Sequence, residues 1–225
     1  VCAGTEGWLP RRPRSQPGGA GWFTNGGITS AKTVRVRLMS FGLPLLAVGA
    51  ATHAAAQGGG LFNALTLPCW IEVIAAILIL DFIIWAQHLI THKVPLLWRL
   101  HRVHHADVDM DVTTAIRFHP VEIALSMLIK IGAVYLLGPA ALAVILFEII
   151  LNGTAMFNHA NIRLPLWLDA IVRRVLVTPD MHRVHHSVHR HEHDRNYGFA
   201  LSIWDRPVGT YTPHPAPAHA PLAFP

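Results

Sequence analysis

The chain has 225 residues, of which 52% are hydrophobic and only 14% charged, so it is long enough for one domain and leaves much of its surface to lipid. Its net charge of +5 suits a protein beside anionic lipid headgroups, whereas scattered basic residues without a recognition motif argue against nucleic acid as a partner. The two cysteines, Cys2 and Cys69, argue against a disulfide framework and exclude a four-cysteine metal site within one chain. Any bound metal must therefore take nitrogen and oxygen ligands.

The amino-terminal part divides into a polar segment and an apolar one. Residues 1–30 are rich in Gly, Pro and Arg and lack apolar periodicity, so we predict that they are disordered or foreign to the native domain. Residues 38–57 form an apolar stretch behind Lys32, Arg35 and Arg37. The basic flank and small-residue tail fit a signal peptide, and the length fits a first membrane helix. We favour the helix, because later segments are long enough to span.

Residues 69–87 are the strongest candidate for a transmembrane helix, since about 20 apolar residues are needed to cross a bilayer. Glu72 and Asp81 are the only charges within this run. Asp81 precedes His88 by two helical turns, on the same face. An acid at such depth usually faces the interior of the helix bundle, so we expect Asp81 to face protein and not lipid.

Residues 121–157 hold two further apolar runs that meet at Gly138-Pro139, where a proline ends a helix and a glycine eases a turn. We predict a hairpin of two short spans, with a re-entrant pair as the alternative. The chain as a whole is therefore expected to be an all-α integral membrane bundle of about four membrane helices. We place this domain at residues 31–212 and a disordered tail at residues 213–225.

Basic residues fall on alternate connections between the apolar segments. One connection carries Lys93, Arg99, Arg102 and Arg117, and a later one carries Arg163, Arg173, Arg174 and Arg183. The intervening connections, at about residues 58–68 and at Gly138-Pro139, carry no basic residue. Because Lys and Arg favour the cytoplasmic side, both basic connections are predicted to lie there. They would form a cytoplasmic helical cap that is rich in histidine.

Eight histidines fall into three tight clusters, an HxxxH pair and two copies of the pentapeptide HRVHH. The clusters are His88 and His92; His101, His104 and His105; and His182, His185 and His186. Spacings of three and four place each cluster on one face of a helix. A single histidine on an apolar face is usually structural, but burying this many imidazoles without partners would cost roughly 1–3 kcal/mol each. Eight are more than one metal needs, and the repeated pentapeptide suggests two equivalent half-sites.

The identity of the metal is left open by the residues alone. Imidazole suits Zn, Cu, Fe and Ni, and the HExxH motif of zinc proteases is absent. Nearby carboxylates are candidates for orienting the ligands by accepting the second ring N–H. They are Asp107, Asp109, Asp111, Asp180, Glu192 and Asp194. For the first three, a solvated loop face explains the acidic residues equally well.

The three histidine boxes resemble those of the fatty acid hydroxylase / sterol desaturase superfamily of membrane di-iron enzymes. Residues 97–122 and 182–211 are similar to that superfamily as well, including Asn196-Tyr197-Gly198 and Trp204-Asp205-Arg206. The resemblance extends over about residues 70–211 and is strongest to the bacterial branch. It implies an integral protein of the bacterial inner membrane.

The resemblance further implies two iron ions and O2 as co-substrate, acting to hydroxylate or desaturate a C–H bond of a lipid, whether fatty acyl, sterol-like or another isoprenoid. The implied iron ligands are His88, His92, His101, His104, His105, His159, His182, His185 and His186. Some members carry a histidine where this chain has Ala155, so a tenth ligand is not expected. His119 is read as structural or as supporting a ligand, and His193 as a weaker candidate ligand.

Electrons are expected to come from a separate protein, because the chain has no flavin or dinucleotide fingerprint and too few cysteines for an iron–sulfur cluster. A ferredoxin or a cytochrome with its reductase is the implied donor. The alternative function is a membrane metal-ion transporter or metal-binding protein, which would need ligands along a path across the bilayer. Within the enzyme class, a carotenoid hydroxylase is the main rival assignment.

Overall fold

The computed structural model describes residues 2, 5–6, 10–11, 22–25 and 33–214, with side chains from residue 45 onward in the last range. Over these residues the chain is helical, with two isolated β-bridges and no strand. The prediction of an all-α protein is confirmed for this part of the chain. The domain boundaries at residues 30 and 212 stay predictions. Most of residues 1–30 and all of residues 215–225 lie outside the described residues.

The described part of the chain from residue 33 onward forms eight α-helices, which differ widely in length. They are α1 (Thr33–Ala56), α2 (Cys69–Lys93), α3 (Pro95–His105), α4 (Pro120–Leu137), α5 (Ala141–His159), α6 (Leu166–Val172), α7 (Pro179–His185) and α8 (Arg190–His193). Two 3-10 helices, Phe62–Ala64 and Val112–Ile116, lie in the connections.

Three of the helices that carry histidines or their partners begin at a proline. Pro95, Pro120 and Pro179 occupy the first turn of α3, α4 and α7, where the missing N–H costs nothing and the fixed φ suits a helix. Proline also keeps the preceding residue out of the helical region, and Val94 is extended, with φ −96° and ψ 114°. The chain therefore turns between α2 and α3 within one residue, which brings the two histidine-bearing helices together.

Three helices, α2, α4 and α5, are long and apolar enough to cross a membrane, and the chain is a membrane protein. The predicted break between α4 and α5 is confirmed, because α4 ends at Gly138 in the left-handed conformation, with φ 59°. The apolar part of α1, Leu45–Ala56, is shorter than the three spans. A fourth span therefore stays a prediction.

Two glycines allow the backbone to pack closely at the end of the bundle away from the histidines. Gly60, with φ 95°, lies against Gly138, and a Cβ built on either residue would fall within 2.6 Å of a neighbouring backbone atom. The amide of Asn63 donates to the carbonyl of Gly138 at 3.0 Å. These contacts join the α1–α2 connection to the α4–α5 turn.

The core of the bundle lies between α1, α2, α4 and α5. Small residues on α1 allow its backbone to come close to the neighbouring helices, as is usual where helices pack in membranes. The buried core residues include Ala47 and Ala51 of α1, Leu80 and Ile84 of α2, Val134 of α4 and Phe147 of α5. The packing makes α2 and α5 parallel, with α4 antiparallel to both, so His92, His159 and the start of α4 lie at one end.

Charged groups within the spans face protein. Asp81 is 2% exposed and accepts a hydrogen bond from the indole of Trp204 at 2.8 Å, which confirms the expectation that this acid faces the interior. Lys130 of α4 and Glu148 of α5 are both buried and form an ion pair of 2.5 Å. The bundle therefore satisfies these charges internally, as a low-dielectric surrounding requires.

The described residues of the amino-terminal segment contact the part of the chain that carries the histidines. Glu6 is 2% exposed and accepts backbone N–H groups from Val112 at 2.8 Å and Asn161 at 2.7 Å. Asn25 is 1% exposed and donates to the carboxylate of Asp107 at 2.8 Å. These residues therefore lie against the loops that follow α3 and α5.

Candidate metal centre

The nine histidines singled out in the sequence lie together at one end of the bundle, and none is more than 8% exposed. His88 and His92 occupy the last two turns of α2, and His159 is the last residue of α5. The first HRVHH ends α3, and the second forms the last part of α7 and its C-cap. Four helices thus direct imidazoles toward one volume.

The imidazoles form two groups, in each of which one nitrogen of every ring lies within 4.8 Å of the others. The first, called here the five-histidine group, is His88, His92, His101, His105 and His185. The second, called the four-histidine group, is His104, His159, His182 and His186.

The repeated pentapeptide suggested two equivalent half-sites, and each of the two groups draws histidines from both pentapeptides. From the first pentapeptide, His101 and His105 enter the five-histidine group and His104 enters the four-histidine group. From the second, His182 and His186 enter the four-histidine group and His185 enters the five-histidine group. The physical reason is helical geometry, because residues four apart share a face more closely than residues one apart. Each pentapeptide thus gives two histidines to one group and one to the other. The groups differ in size because α2 adds His88 and His92 to the first, whereas α5 adds only His159 to the second.

The Nδ1 atoms of five rings contact acceptors that fix the proton on that nitrogen. The ring contacts are His88 with the carbonyl of Tyr197 at 2.8 Å, His101 with the carboxylate of Glu122 at 2.5 Å, His104 with the carbonyl of Arg117 at 3.2 Å, His159 with the carbonyl of Ala155 at 2.7 Å, and His185 with the carbonyl of Arg195 at 2.8 Å. Since these oxygens accept and cannot donate, each Nδ1 is the donor, and in the neutral ring Nε2 carries a lone pair.

Those lone pairs face one another at short distances. The Nε2 atoms of His88 and His101 are 3.1 Å apart within the five-histidine group. In the four-histidine group, the Nε2 atoms of His159 and His104 are 3.0 Å apart. The Nε2 atom of His182 also lies 3.1 Å from that of His159, but Nδ1 of His182 has no hydrogen-bond partner among the described residues to fix its proton. Two lone pairs this close repel unless a shared cation accepts both. This donor set therefore fits metal ions better than it fits an ion-free core.

Other ring nitrogens lack hydrogen-bond partners within the described part of the chain. Both nitrogens of His92, His105 and His186 are buried and have no such partner. The same holds for Nε2 of His185 and Nδ1 of His182. An unsatisfied buried polar atom costs about 1–3 kcal/mol, and this many in one place would be a large penalty. Bound metal would satisfy such nitrogens.

Burial sets the protonation of five histidines that lie outside the three spans. Desolvation, followed by the neighbouring imidazoles, lowers the pKa of His104, His105, His182 and His186 well below the usual value. The pKa of His185 is lowered in the same way. These rings are therefore neutral near pH 7, the state in which imidazole binds a metal.

The carboxylate that orients a ligand histidine was missed by the sequence analysis. It is Glu122, in the first turn of α4, which is 7% exposed and contacts His101. The only local feature of the sequence that could have indicated this role is the position of Glu122, three residues after His119 and at the start of an apolar run. Among the six acids that were singled out, Asp107 accepts from Asn25 and Thr114, and Asp180 pairs with Arg11.

A second acid acts through the backbone. Asp205 is fully buried and accepts hydrogen bonds from the N–H groups of Tyr197 at 2.9 Å and Gly198 at 2.8 Å. It also accepts from the indole of Trp85 on α2, at 3.2 Å. Because the carbonyl of Tyr197 accepts from His88, Asp205 fixes the backbone that orients this imidazole.

The two remaining candidate histidines lie outside both groups. His119 is the N-cap of α4, where its Nδ1 accepts the N–H of Val121 at 3.2 Å, which is a structural role. His193 forms a smaller cluster with His92 and Asp194, and its ring stacks on Trp98 with a centroid distance of 5.2 Å. His193 is therefore not a member of either group, although it lies beside His92 of the five-histidine group.

The chain is similar in sequence to proteins that are named as a lipid hydroxylase and a monooxygenase. Its sequence is 29% identical over 160 residues to ornithine lipid hydroxylase OlsE of Rhizobium tropici, an alignment that covers 70% of this chain and 46% of that protein. It is 32% identical over 142 residues to alkylglycerol monooxygenase of Homo sapiens, covering 61% and 30% of the respective chains. The chain thus spans less than half the length of these curated relatives. No solved structure matches it.

One protein family also matches the chain, over more than half of its length. The family described as fatty acid hydroxylase matches residues 73–210, which include every histidine of the two groups. The matched region runs from the first turns of α2 to the loop that follows Asp205. This chain therefore belongs to the fatty acid hydroxylase family.

Proposed function

We propose that the protein is a membrane-bound di-iron oxygenase that hydroxylates a lipid, with residues 31–212 as the oxygenase domain. The observation that carries the proposal is the convergence of nine buried imidazoles into two groups, in each of which one nitrogen of every ring lies within 4.8 Å of the others. When bound, two iron ions would supply activation of O2 for attack on an unactivated C–H bond. The five-histidine group would hold one ion and the four-histidine group the other.

The protein's own residues would hold the ligands in place and exclude water. The carboxylate of Glu122 keeps the proton of His101 on Nδ1, and the carbonyl of Tyr197 does the same for His88. Such outer partners fix the orientation and raise the basicity of a ligating ring. The site is dry, since His104, His105, His159, His182 and His185 are fully buried.

Two considerations support a lipid as the substrate and hydroxylation as the reaction. The centre lies at the ends of α2 and α5, so a lipid chain would reach it from the bilayer without crossing water. The relatives are named as a lipid hydroxylase and a monooxygenase, which favours hydroxylation over desaturation. Hydroxylation replaces one C–H by C–OH and reduces the second oxygen atom to water, so it consumes two electrons and two protons.

We further propose that α1 is a fourth membrane helix and that the histidine end faces the cytoplasm of a bacterial inner membrane. Lys93, Arg163 and Arg183 all lie at that end, as the preference of basic residues for the cytoplasmic side requires. A ferredoxin or a cytochrome with its reductase would supply the electrons. The alternative of a metal transporter is not favoured, because the metal-binding residues cluster at one end of the spans and not along them.

The proposal is tested by metal content and product together. The purified, iron-supplied protein is expected to retain two iron ions, and lipids from expressing cells are expected to contain a species heavier by one oxygen atom that incorporates label from ¹⁸O2. Replacing His104 or His185 with Ala should abolish both the iron of its group and the product. A protein that holds only weak, exchangeable metal, or one whose His185→Ala variant still turns over, would refute the proposal.

A further inference from the structure

One surface of the cap combines a partly exposed aromatic ring with exposed cations directly above the five-histidine group. Trp98 of α3 is partly exposed, and its ring centroid lies 4.9 Å from that of His92 and 5.4 Å from that of His105. The ring of His193 stacks on it almost in parallel, at 4°. Trp98 therefore reaches from the surface to rings that belong to the buried group.

The rings of the five-histidine group are shielded from solvent. All five are 8% exposed or less, and they belong to α2, α3 and α7. Electronic coupling falls steeply with distance, so an external donor must approach a point where the centre lies close to the surface. The stacked pair of Trp98 and His193 is such a point.

The surface around this pair is basic. The side chain of Lys93 is 49% exposed and that of Arg190 is 88% exposed, and both pair with Asp194, whose charge they more than balance. Arg102 is exposed and lies one turn after Trp98 on α3, so it is a neighbour on the same helical face. We call Lys93, Arg102 and Arg190 the basic rim.

Resting on the proposed function, we infer that the basic rim and the Trp98–His193 pair are the docking surface for an acidic one-electron carrier. Electron-transfer partners form small, transient interfaces in which opposite charges steer the encounter. Two successive one-electron transfers, each oxidising one reduced carrier, would supply the two electrons that one hydroxylation consumes. The carrier would bind with acidic residues on the rim and its redox group over Trp98.

An anionic membrane surface is the other class of partner for exposed cations, and the observations favour the carrier. Lys93 ends a span, but Arg190 belongs to α8 of the cap and pairs with the same carboxylate. A lipid contact also gives no reason for the ring stack that connects the surface to the five-histidine group. The cations therefore surround a route to the metal site and do not merely follow the end of a helix.

The inference is tested by reducing the purified, iron-loaded protein in detergent with an acidic [2Fe–2S] ferredoxin and, separately, with dithionite. The double variant Arg102→Glu/Arg190→Glu should slow reduction by ferredoxin roughly tenfold or more at low ionic strength, because steering changes association rates by 10–10³. Its iron content and its reduction by dithionite should be unchanged. Arg163→Glu is the matched control, since Arg163 is an exposed cation that follows α5, and it should behave as the unmodified protein.

A second comparison keeps the protein constant and changes the carrier. Ferredoxin whose surface carboxylates have been amidated should reduce the unmodified protein more slowly than native ferredoxin, and added salt should remove the difference. Equal rates with the two carriers, no reduction by ferredoxin in a sample that dithionite reduces, or unaltered rates in the double variant would each overturn the docking surface. Absence of two retained irons would instead overturn the proposed function. Dependence on anionic lipid in nanodiscs, without dependence on carrier charge, would assign the rim to the membrane.

Discussion

Replacing Glu122 with Gln should weaken metal binding at one of the two groups and leave the other intact. The Glu122 carboxylate lies 2.5 Å from Nδ1 of His101, and the two residues are 7% and 1% exposed. A hydrogen bond to a charged group contributes about 1.5–3 kcal/mol, and Gln retains the shape and an accepting oxygen but not the charge. His101 belongs to the five-histidine group, so the loss is confined there.

The magnitude follows from the role of such partners. Loss of an outer-shell partner typically lowers metal affinity by about 10–100-fold. This corresponds to roughly 1.4–2.8 kcal/mol, since each tenfold change is about 1.4 kcal/mol. The protein with Glu122→Gln should therefore lose one ion at chelator concentrations that leave the unmodified protein with two.

The measurement is metal content after equilibration against graded chelator, with the electronic spectrum of the cobalt-substituted protein as a second readout. Glu72→Gln is the matched control, because Glu72 accepts the N–H of Ala140 at 2.6 Å at the far end of the bundle. It should leave both ions in place. Loss of both ions together from the Glu122 variant, or a chelator curve that coincides with that of the control, would refute the reasoning.

Three further perturbations have expected outcomes. Ala155→His places a ring one turn before His159 on the same face of α5. This variant should raise the retention of metal by the four-histidine group in the same chelator assay. Unchanged retention would show that a histidine at position 155 does not act as a further ligand. Lys130→Met leaves Glu148 buried without its cation and should destabilise the protein by about 3–5 kcal/mol. In a thermal melt in detergent, the double variant Lys130→Met/Glu148→Gln should recover most of this loss of stability. Equal melting temperatures for the single variant and the unmodified protein would contradict the expectation. Burial lowers the pKa of five histidines below the ordinary value of 6.5, namely His104, His105, His182, His185 and His186. Below about pH 6.5 the unfolded chain therefore binds protons that the folded apoprotein does not, so the stability of the metal-free protein should fall with decreasing pH from that value and be fully present above it. A melting temperature that is constant between pH 7.5 and 5.5 would contradict this expectation.

Local features of the sequence were sufficient for three spans and for eight of the nine histidines. The apolar runs of α2, α4 and α5 and the break at Gly138 depend on composition and on the conformational preferences of Gly and Pro, which neighbouring residues determine. The spacing of the boxes follows the helical repeat, and the resemblance to a family added His159. The sequence alone therefore predicted which imidazoles come together.

The tertiary structure decided how those imidazoles are shared between two groups and what orients them. The partners of His88 and His185 are the carbonyls of Tyr197 and Arg195, and every residue type carries such an acceptor, so no sequence pattern marks them. Glu122 reaches His101 because α4 packs beside α3, across 21 residues of chain. Contacts between distant segments depend on the packing of whole helices, and the periodicity of one helix specifies its own faces but not the partner that each face meets.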